Sequence, residues 1–226
     1  MKVAVCFSGL PRFIQQCAPY WRTSLLAPYD CDVFVHTWCT DAAQDAVTQQ
    51  IVSHMYQPVR FQMQPMPVFD VSMYKDRIWP HRISPQAQLS QFEGIKRAQR
   101  LRQTQEQVQG FAYDVVIRAR FDWYLANVVL EINPCVNLAR TPTLDGHIFT
   151  YDQIPLVGIN DQFAYGTSAT MDVYATVVDN IPNLYEQHGV DFCGELFLRA
   201  HLHEHHVCIK PHTWNNGIVR SWGIMP

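Results

Sequence analysis

Tyr113-Asp114-Val115-Val116-Ile117-Arg118-Ala119-Arg120-Phe121-Asp122-Trp123-Tyr124 decides how the chain is read. The stretch begins as an apolar run rich in β-branched residues, the signature of a buried strand. It then runs into two arginines and an aspartate. Charged side chains are rarely buried without partners, so the exit of this strand is expected to face a polar ligand. Arg118 and Arg120 stand two apart, which on a strand puts them on one face. There they can hold a diphosphate or a carboxylate together, or they can neutralise nearby acids such as Asp114 and Asp122.

Upstream, the chain alternates strands and helices. VAVCFSG, residues 3–9, reads as a first strand ending at Ser8-Gly9, followed by a helix from Phe13 to Leu26 that Pro19 breaks or kinks. Cys31 to Trp38 (CDVFVHTW) is a second apolar strand, Asp41 to Tyr56 a helix, and Val59 to Gln64 an alternating strand. This rhythm predicts a parallel sheet with crossover helices. Ser84 caps a helix with Pro85 at its first position, and the helix runs to about Val108, before Gly110. Its basic residues Lys96, Arg97, Arg100 and Arg102 are expected on a solvated face. Between these elements, residues 65–85 hold four prolines and form a long loop.

The second half carries fewer helices between its strands, which predicts a mixed sheet. Residues 127–143 read as irregular. His147 to Gln153 and Asp161 to Gly166 are further strands. Ser168 to Ile181 is an amphipathic helix capped by Ser168 and ended by Pro182, Cys193 to about Glu204 is the last helix, and HVCIKPH is the final strand.

Composition bounds what such a fold can do. The 226 residues are 48% hydrophobic and 16% charged, against roughly 25% charged in an ordinary soluble domain. One large domain is expected. A formal net charge of −3 gives no basic face for displacing nucleic-acid counterions, and no apolar stretch reaches the length of a membrane span. The seven cysteines are scattered without a C-x-x-C pair, and the apolar run at the N-terminus is too short for a signal peptide. Reduced thiols and a cytoplasmic location are expected.

In parallel sheets of this kind ligands gather at the carboxyl ends of strands. The candidates there are Ser8, Gly9 and Arg12 after the first strand, His36, Thr37 and Trp38 at the end of the second, and Arg118, Arg120 and Asp122 at the third exit. Gly9 is equally readable as a simple turn residue and His36 and Trp38 as core aromatics. Asp122 offers hard oxygens to Mn²⁺ or Mg²⁺ if a diphosphate completes the shell. Glu195, at the start of a helix, is either a helix-end acid or a general base. Asp191 and Asp161 are further candidate bases. His212 follows a strand and is a candidate metal ligand. The histidines at 201, 203, 205 and 206 lack H-E-x-x-H spacing and read as solvated helix residues.

The blocks VAVCFSGLPRF, DVFVHTW, YDVVIRARFDWYL and DQFAYGTSATMDVY together resemble small viral and microbial glycosyltransferase domains of the GT-A type, with relatives in large algal viruses. The resemblance covers most of the chain. It implies a GT-A-like (Rossmann-like) α/β fold with a mixed, mainly parallel central sheet flanked by helices. The single domain, residues 1–226, would have a nucleotide-binding half at about 1–125 and an acceptor-side half at about 126–226. It implies transfer of a sugar from a nucleotide-diphosphate sugar to a hydroxyl of a glycan or other acceptor. It further implies that Asp122 is the surviving acid of a D-x-D metal motif, Glu195 the acid of GELFLRAHL, His212 the late histidine, and that Ser8, Gly9 and Arg12 lie against the diphosphate. The first acid of D-x-D is replaced by Arg120, whose charge can itself neutralise a diphosphate. A nucleotide-sugar hydrolase, a nucleotidyltransferase, or a non-catalytic nucleotide- or carbohydrate-binding module would use the same residues.

Overall fold

The computed structural model describes residues 1–78, 84–125, 146–151, 158–212, 216–220 and 223–225. Strands β1 (Val3–Ser8), β2 (Cys31–Trp38), β3 (Arg60–Gln64) and β4 (Val115–Ala119) are mutually parallel. With β6 (His147–Tyr151), β7 (Phe163–Gly166) and β8 (Cys208–His212) they form a seven-stranded sheet in the order β3-β2-β1-β4-β7-β6-β8. Only β7 runs against the rest, pairing antiparallel with β4 and β6, while β8 lies parallel to β6. The expected mixed, mainly parallel α/β sheet is what the chain forms. Because the chain winds from β1 out to β3 and then returns for β4 beside β1, the connections leaving β1 and β4 diverge, and a crevice opens at the carboxyl ends.

Side-chain alternation divides the interior in two. Val3, Val5 and Phe7 of β1 face a core with Cys17, Trp21, Val52 and Tyr56, supplied by α1 (Ile14–Trp21) and α2 (Ala42–Tyr56). Ala4, Cys6, Phe34 and Val116 face the other core, against α3 (Pro85–Gln109), α4 (Ser168–Ala175), α5 (Val177–Glu186) and α6 (Gly194–Glu204). The ends of α3 are as the sequence predicts: Ser84 Oγ accepts from the Ala87 amide, and Gly110 closes the helix at φ 69°.

Several expectations are corrected. Pro19 does not end its helix; α1 continues to Trp21 and then widens into a π turn at Arg22–Leu26. The turn delivers Trp21 Nε1 to the Trp123 carbonyl at 2.5 Å and Ser24 Oγ to the Leu125 carbonyl at 3.3 Å. The segment 168–181 is two helices broken at Thr176, with Thr167 rather than Ser168 supplying the capping oxygen and Pro182 lying inside the second. Arg102 is fully buried rather than solvated. It donates to Gln99, Glu106, Ser168 and Asp172, because α3 is covered along this face by α4. The opening stretch is also not one strand. β4 ends at Ala119, and after a turn at 121–122 the chain enters β5 (Trp123–Leu125), which joins β9 (Asn216–Arg220) and β10 (Gly223–Met225) in a separate three-stranded sheet. Arg120 and Asp122 therefore sit on the junction between two sheets. Residues 127–143 lie outside the described residues.

Among the described residues no helix is long and apolar enough to cross a membrane. Cys6, Cys17, Cys31, Cys39, Cys193 and Cys208 are free thiols. Burial pushes the Cys6, Cys17 and Cys193 thiols up to about 12, so they act as small core side chains.

Candidate active site

At the exit of β1 the backbone turns through Gly9 at φ 114°, a conformation that disfavours any residue with a Cβ. The Thr37 hydroxyl donates to the Gly9 carbonyl at 2.8 Å, pinning this turn to the end of β2. A Cβ at Gly9 would meet nothing within 4 Å, so the glycine is required by the backbone angle and the space in front of it is open. That space belongs to a cleft of about 420 Å³ whose walls include Ser8, Gly9, Arg12, Trp38, Gln91 and Arg120. Residues from β1, β2, α3 and the β4 exit thus converge on the crevice that the strand order creates.

The three candidates on β2 have different surroundings. Trp38 is a cleft wall, with the Arg97 guanidinium 5.5 Å from its ring centre. Thr37 points to the opposite face, where it acts through Gly9. His36 is completely buried behind Trp38, the two rings packed edge to face at 4.5 Å. Burial first, then the positive charge of Arg97, pushes the His36 pKa down to about 3. Its two ring nitrogens have no hydrogen-bond partner among the described residues, nor does the buried Ser8 Oγ in register beside it.

The two arginines at the end of β4 differ in depth. Arg118 is in register with Cys6, a full step below the cleft, and is 1% exposed. It donates from Nη1 to the Gln162 carbonyl, while its Nε and Nη2 have no hydrogen-bond partner among the described residues. Burial lowers its pKa, against the pull of Tyr174 and Asp161. Arg118 therefore contributes charge from beneath the floor and is not among the cleft walls, contrary to the expected joint grip by both arginines. Arg120 reaches the cleft. It also forks onto Asp122, Nε to Oδ1 at 2.8 Å and Nη2 to Oδ2 at 2.7 Å. The Asp122 side chain is only 3% exposed.

Asp161 lies one side chain behind the cleft. Gln91, a cleft wall, donates to its Oδ2 at 2.7 Å, and Gln88 reaches the same oxygen at 3.2 Å. Burial raises the Asp161 pKa, and the negative Glu195 raises it further, against Arg118, Arg120 and the Gln88 bond. Glu195 is itself buried and accepts from Cys193 Sγ at 3.0 Å. Asp161, Glu195 and Arg118 thus form one buried charged group under the cleft floor. Asp191 is not part of it: the chain there passes by way of Phe192 to the Arg77 carbonyl and a bridge with Ile78.

Among the described residues, Asp122 does not present an unengaged carboxylate to the Mn²⁺ or Mg²⁺ expected beside it. Both Asp122 oxygens are engaged by a guanidinium, Arg120 stands where a second carboxylate would be needed, and like charge at that position repels a cation. The backbone of His212 lies at the end of β8 opposite Tyr151, but its side chain is outside the described residues. His201, expected in solvent, is 2% exposed and bonded to the Val173 carbonyl.

Sequence reasoning missed Gln88 and Gln91. Their signal is spacing: three apart on a helix, they share a face beside the buried Leu89 and Phe92. Gly158 was missed too, and the chain gives no local sign that its backbone must pass against Glu195, whose carbonyl a Cβ there would approach to under 3.0 Å.

The fold is an α/β domain with a GT-A-like mixed, mainly parallel central sheet. In keeping with this, the chain is similar in structure to mouse xyloside xylosyltransferase 1 in its apo form, with a TM-score of 0.50 over 93% of this chain and 84% of that one, at 11% sequence identity. No protein-family model matches the sequence, and no curated protein matches it significantly.

Proposed function

We propose that the protein is a glycosyltransferase that moves a sugar from a nucleotide-diphosphate donor to a hydroxyl acceptor. The observation that carries the proposal is the cleft at the β1/β4 switch point, which presents Gly9 backbone, Arg12 and Arg120 to one space. A diphosphate there meets two guanidinium groups and an open backbone turn, and a nucleoside base can stack on Trp38. In the reaction the bond between the anomeric carbon and the diphosphate oxygen breaks while the acceptor oxygen bonds that carbon. Negative charge grows on the leaving diphosphate, and Arg12 and Arg120 stabilise it electrostatically, with Arg118 adding positive potential from below.

In this reading Arg120 supplies charge that a metal bound at a D-x-D pair would supply. If the transfer inverts the anomeric centre, a base must take the acceptor's proton, and Asp161, whose pKa burial raises, does so in this reading once Gln91 swings aside and lets the acceptor hydroxyl reach its carboxylate. Glu195 then keeps that pKa high. The xylosyltransferase similarity makes a xylose donor with a xyloside acceptor the first pair to try.

The test is incubation with a panel of nucleotide sugars, each with and without glycoside acceptors, and with Mn²⁺ or EDTA. A glycoside that appears only with acceptor supports the proposal. Free sugar formed equally without acceptor marks a hydrolase. Nucleotide binding without any product marks a binding module, a reading that the Arg120–Asp122 fork also accommodates.

A further inference from the structure

The C-terminal end of α6, away from the cleft, places His201, Glu204 and His205 on one helical face, the spacing at which side chains three and four apart become neighbours. We propose that these three residues bind one divalent transition-metal ion, with Zn²⁺ the best match to two imidazoles and a carboxylate. One ligand atom from each already lies within 4.8 Å of the other two.

The hydrogen bonds prepare the ligands. His201 Nε2 donates to the Val173 carbonyl at 2.8 Å, which assigns the proton to that nitrogen and leaves the Nδ1 lone pair as the acceptor of the Asn180 amide. His205 Nδ1 donates to the His201 carbonyl at 2.9 Å, which leaves Nε2 as its ligand atom. A backbone carbonyl behind each imidazole is the outer-shell arrangement that orients histidine ligands at metal sites. The two rings lie 4.4 Å apart between centres.

A single amide now occupies the point on which two of the three ligands converge. Asn180 Nδ2 donates to His201 Nδ1 at 3.2 Å and to Glu204 Oε2 at 2.7 Å. A cation entering between those two acceptors replaces two hydrogen bonds from one amide with two coordinate bonds and draws His205 in as the third ligand, water completing a tetrahedron. The C-terminal end of the helix macrodipole adds negative potential here. Glu204 lies nine positions along the helix from Glu195, roughly 13 Å of rise. The metal would therefore clamp the last turn of α6, in place of the Asn180 link to α5, without touching the transfer chemistry.

Tag-free, reduced protein titrated with Zn²⁺ by calorimetry, and with Co²⁺ followed by visible absorption, tests the site. Wild type is expected to bind one ion that Glu204→Gln and His205→Ala, both at exposed positions, weaken more than about ten-fold, the loss that removing even an outer-shell partner can bring. Zn²⁺ should raise the melting temperature of wild type and not of His205→Ala. Asn180→Ala should retain the ion, because it removes a competing donor rather than a ligand. No binding by wild type, equal binding by wild type and His205→Ala, or loss of binding in Asn180→Ala overturns the proposal.

Discussion

Arg120 holds Asp122 through two near-parallel bonds of 2.8 and 2.7 Å at the point where the chain leaves the main sheet for the small one. The pair has two tasks: it fixes the turn between β4 and β5, and it aims a guanidinium along the cleft. Removing the arginine should expose both. Arg120→Ala is expected to lower kcat/KM about 10²- to 10³-fold, the range for losing one donor to developing charge, and to cost about 1–3 kcal/mol by taking the fork from a buried carboxylate. The double variant Arg120→Ala/Asp122→Ala should recover much of the stability and none of the activity. Denaturant melts beside initial rates check both, and a fully active Arg120→Ala would remove Arg120 from the mechanism.

The same pair predicts the response to chelation. With both Asp122 oxygens on Arg120, transfer should persist in EDTA at a rate within a few-fold of that in Mn²⁺. Complete loss in EDTA, restored by Mn²⁺ in wild type and not in Asp122→Asn, would mean that Asp122 leaves Arg120 when substrate binds.

Asp161 should behave as a buried acid held above its ordinary pKa. Such a group favours the folded state most when protonated: its contribution is full below the unfolded value near 3.8 and is lost as pH rises through the higher folded value. Asp161→Asn keeps an acceptor for Gln88 and Gln91 but has no charge to bury, so at pH 7.5 it should melt higher than wild type, the difference vanishing below pH 3.8. If Asp161 is the base, the same variant loses about 10²- to 10⁴-fold in kcat.

His36 gives the opposite slope. With its folded pKa pushed down to about 3 against an unfolded value of 6.5, it stabilises the fold fully above pH 6.5, and that contribution is lost as pH falls towards 3. The loss approaches about 1.4 kcal/mol per pH unit, the equivalent of one proton. His36→Phe should flatten that part of the stability profile, as read from urea melts between pH 4 and 7.

Gly158→Ala tests the close approach of backbone to Glu195. A Cβ there would lie under 3.0 Å from the Glu195 carbonyl, which has no flexible end to move, so a cost of about 1–3 kcal/mol is expected. Because Ile159 donates to that same carbonyl at 3.3 Å, activity should fall along with stability. A neutral Gly158→Ala would show that this segment moves aside freely.

The main sheet was legible in the chain because its information is local. VAVCFS and CDVFVHTW are apolar runs with clear ends, Ser84-Pro85 and Gly110 bracket a 25-residue helix, and the alternation of elements implies parallel pairing. The position of the cleft was legible for the same reason, since Gly9, Trp38 and Arg120 stand where parallel strands end. The break between β4 and β5 was not legible, because Phe121 and Trp123 continue the apolar pattern and only pairing with β9 assigns Trp123 to another sheet. The division of 168–181 into two helices was hidden likewise, Thr176 being an ordinary residue in an amphipathic pattern.

By itself, the sequence determined which residues could carry charge at the crevice and which strands would bring them there, because propensity, alternation and turn chemistry act over a few positions. Only the tertiary structure decided their depth and partners. Arg118 and Arg120 are equivalent by spacing, yet one is sealed in the interior near Tyr174 and Asp161 while the other opens to the cleft. Asp122 is a free oxygen donor by sequence and one side of a guanidinium fork in the fold. Solvation and electrostatic strength depend on what distant segments place around a side chain, and that is set by packing across the whole sheet.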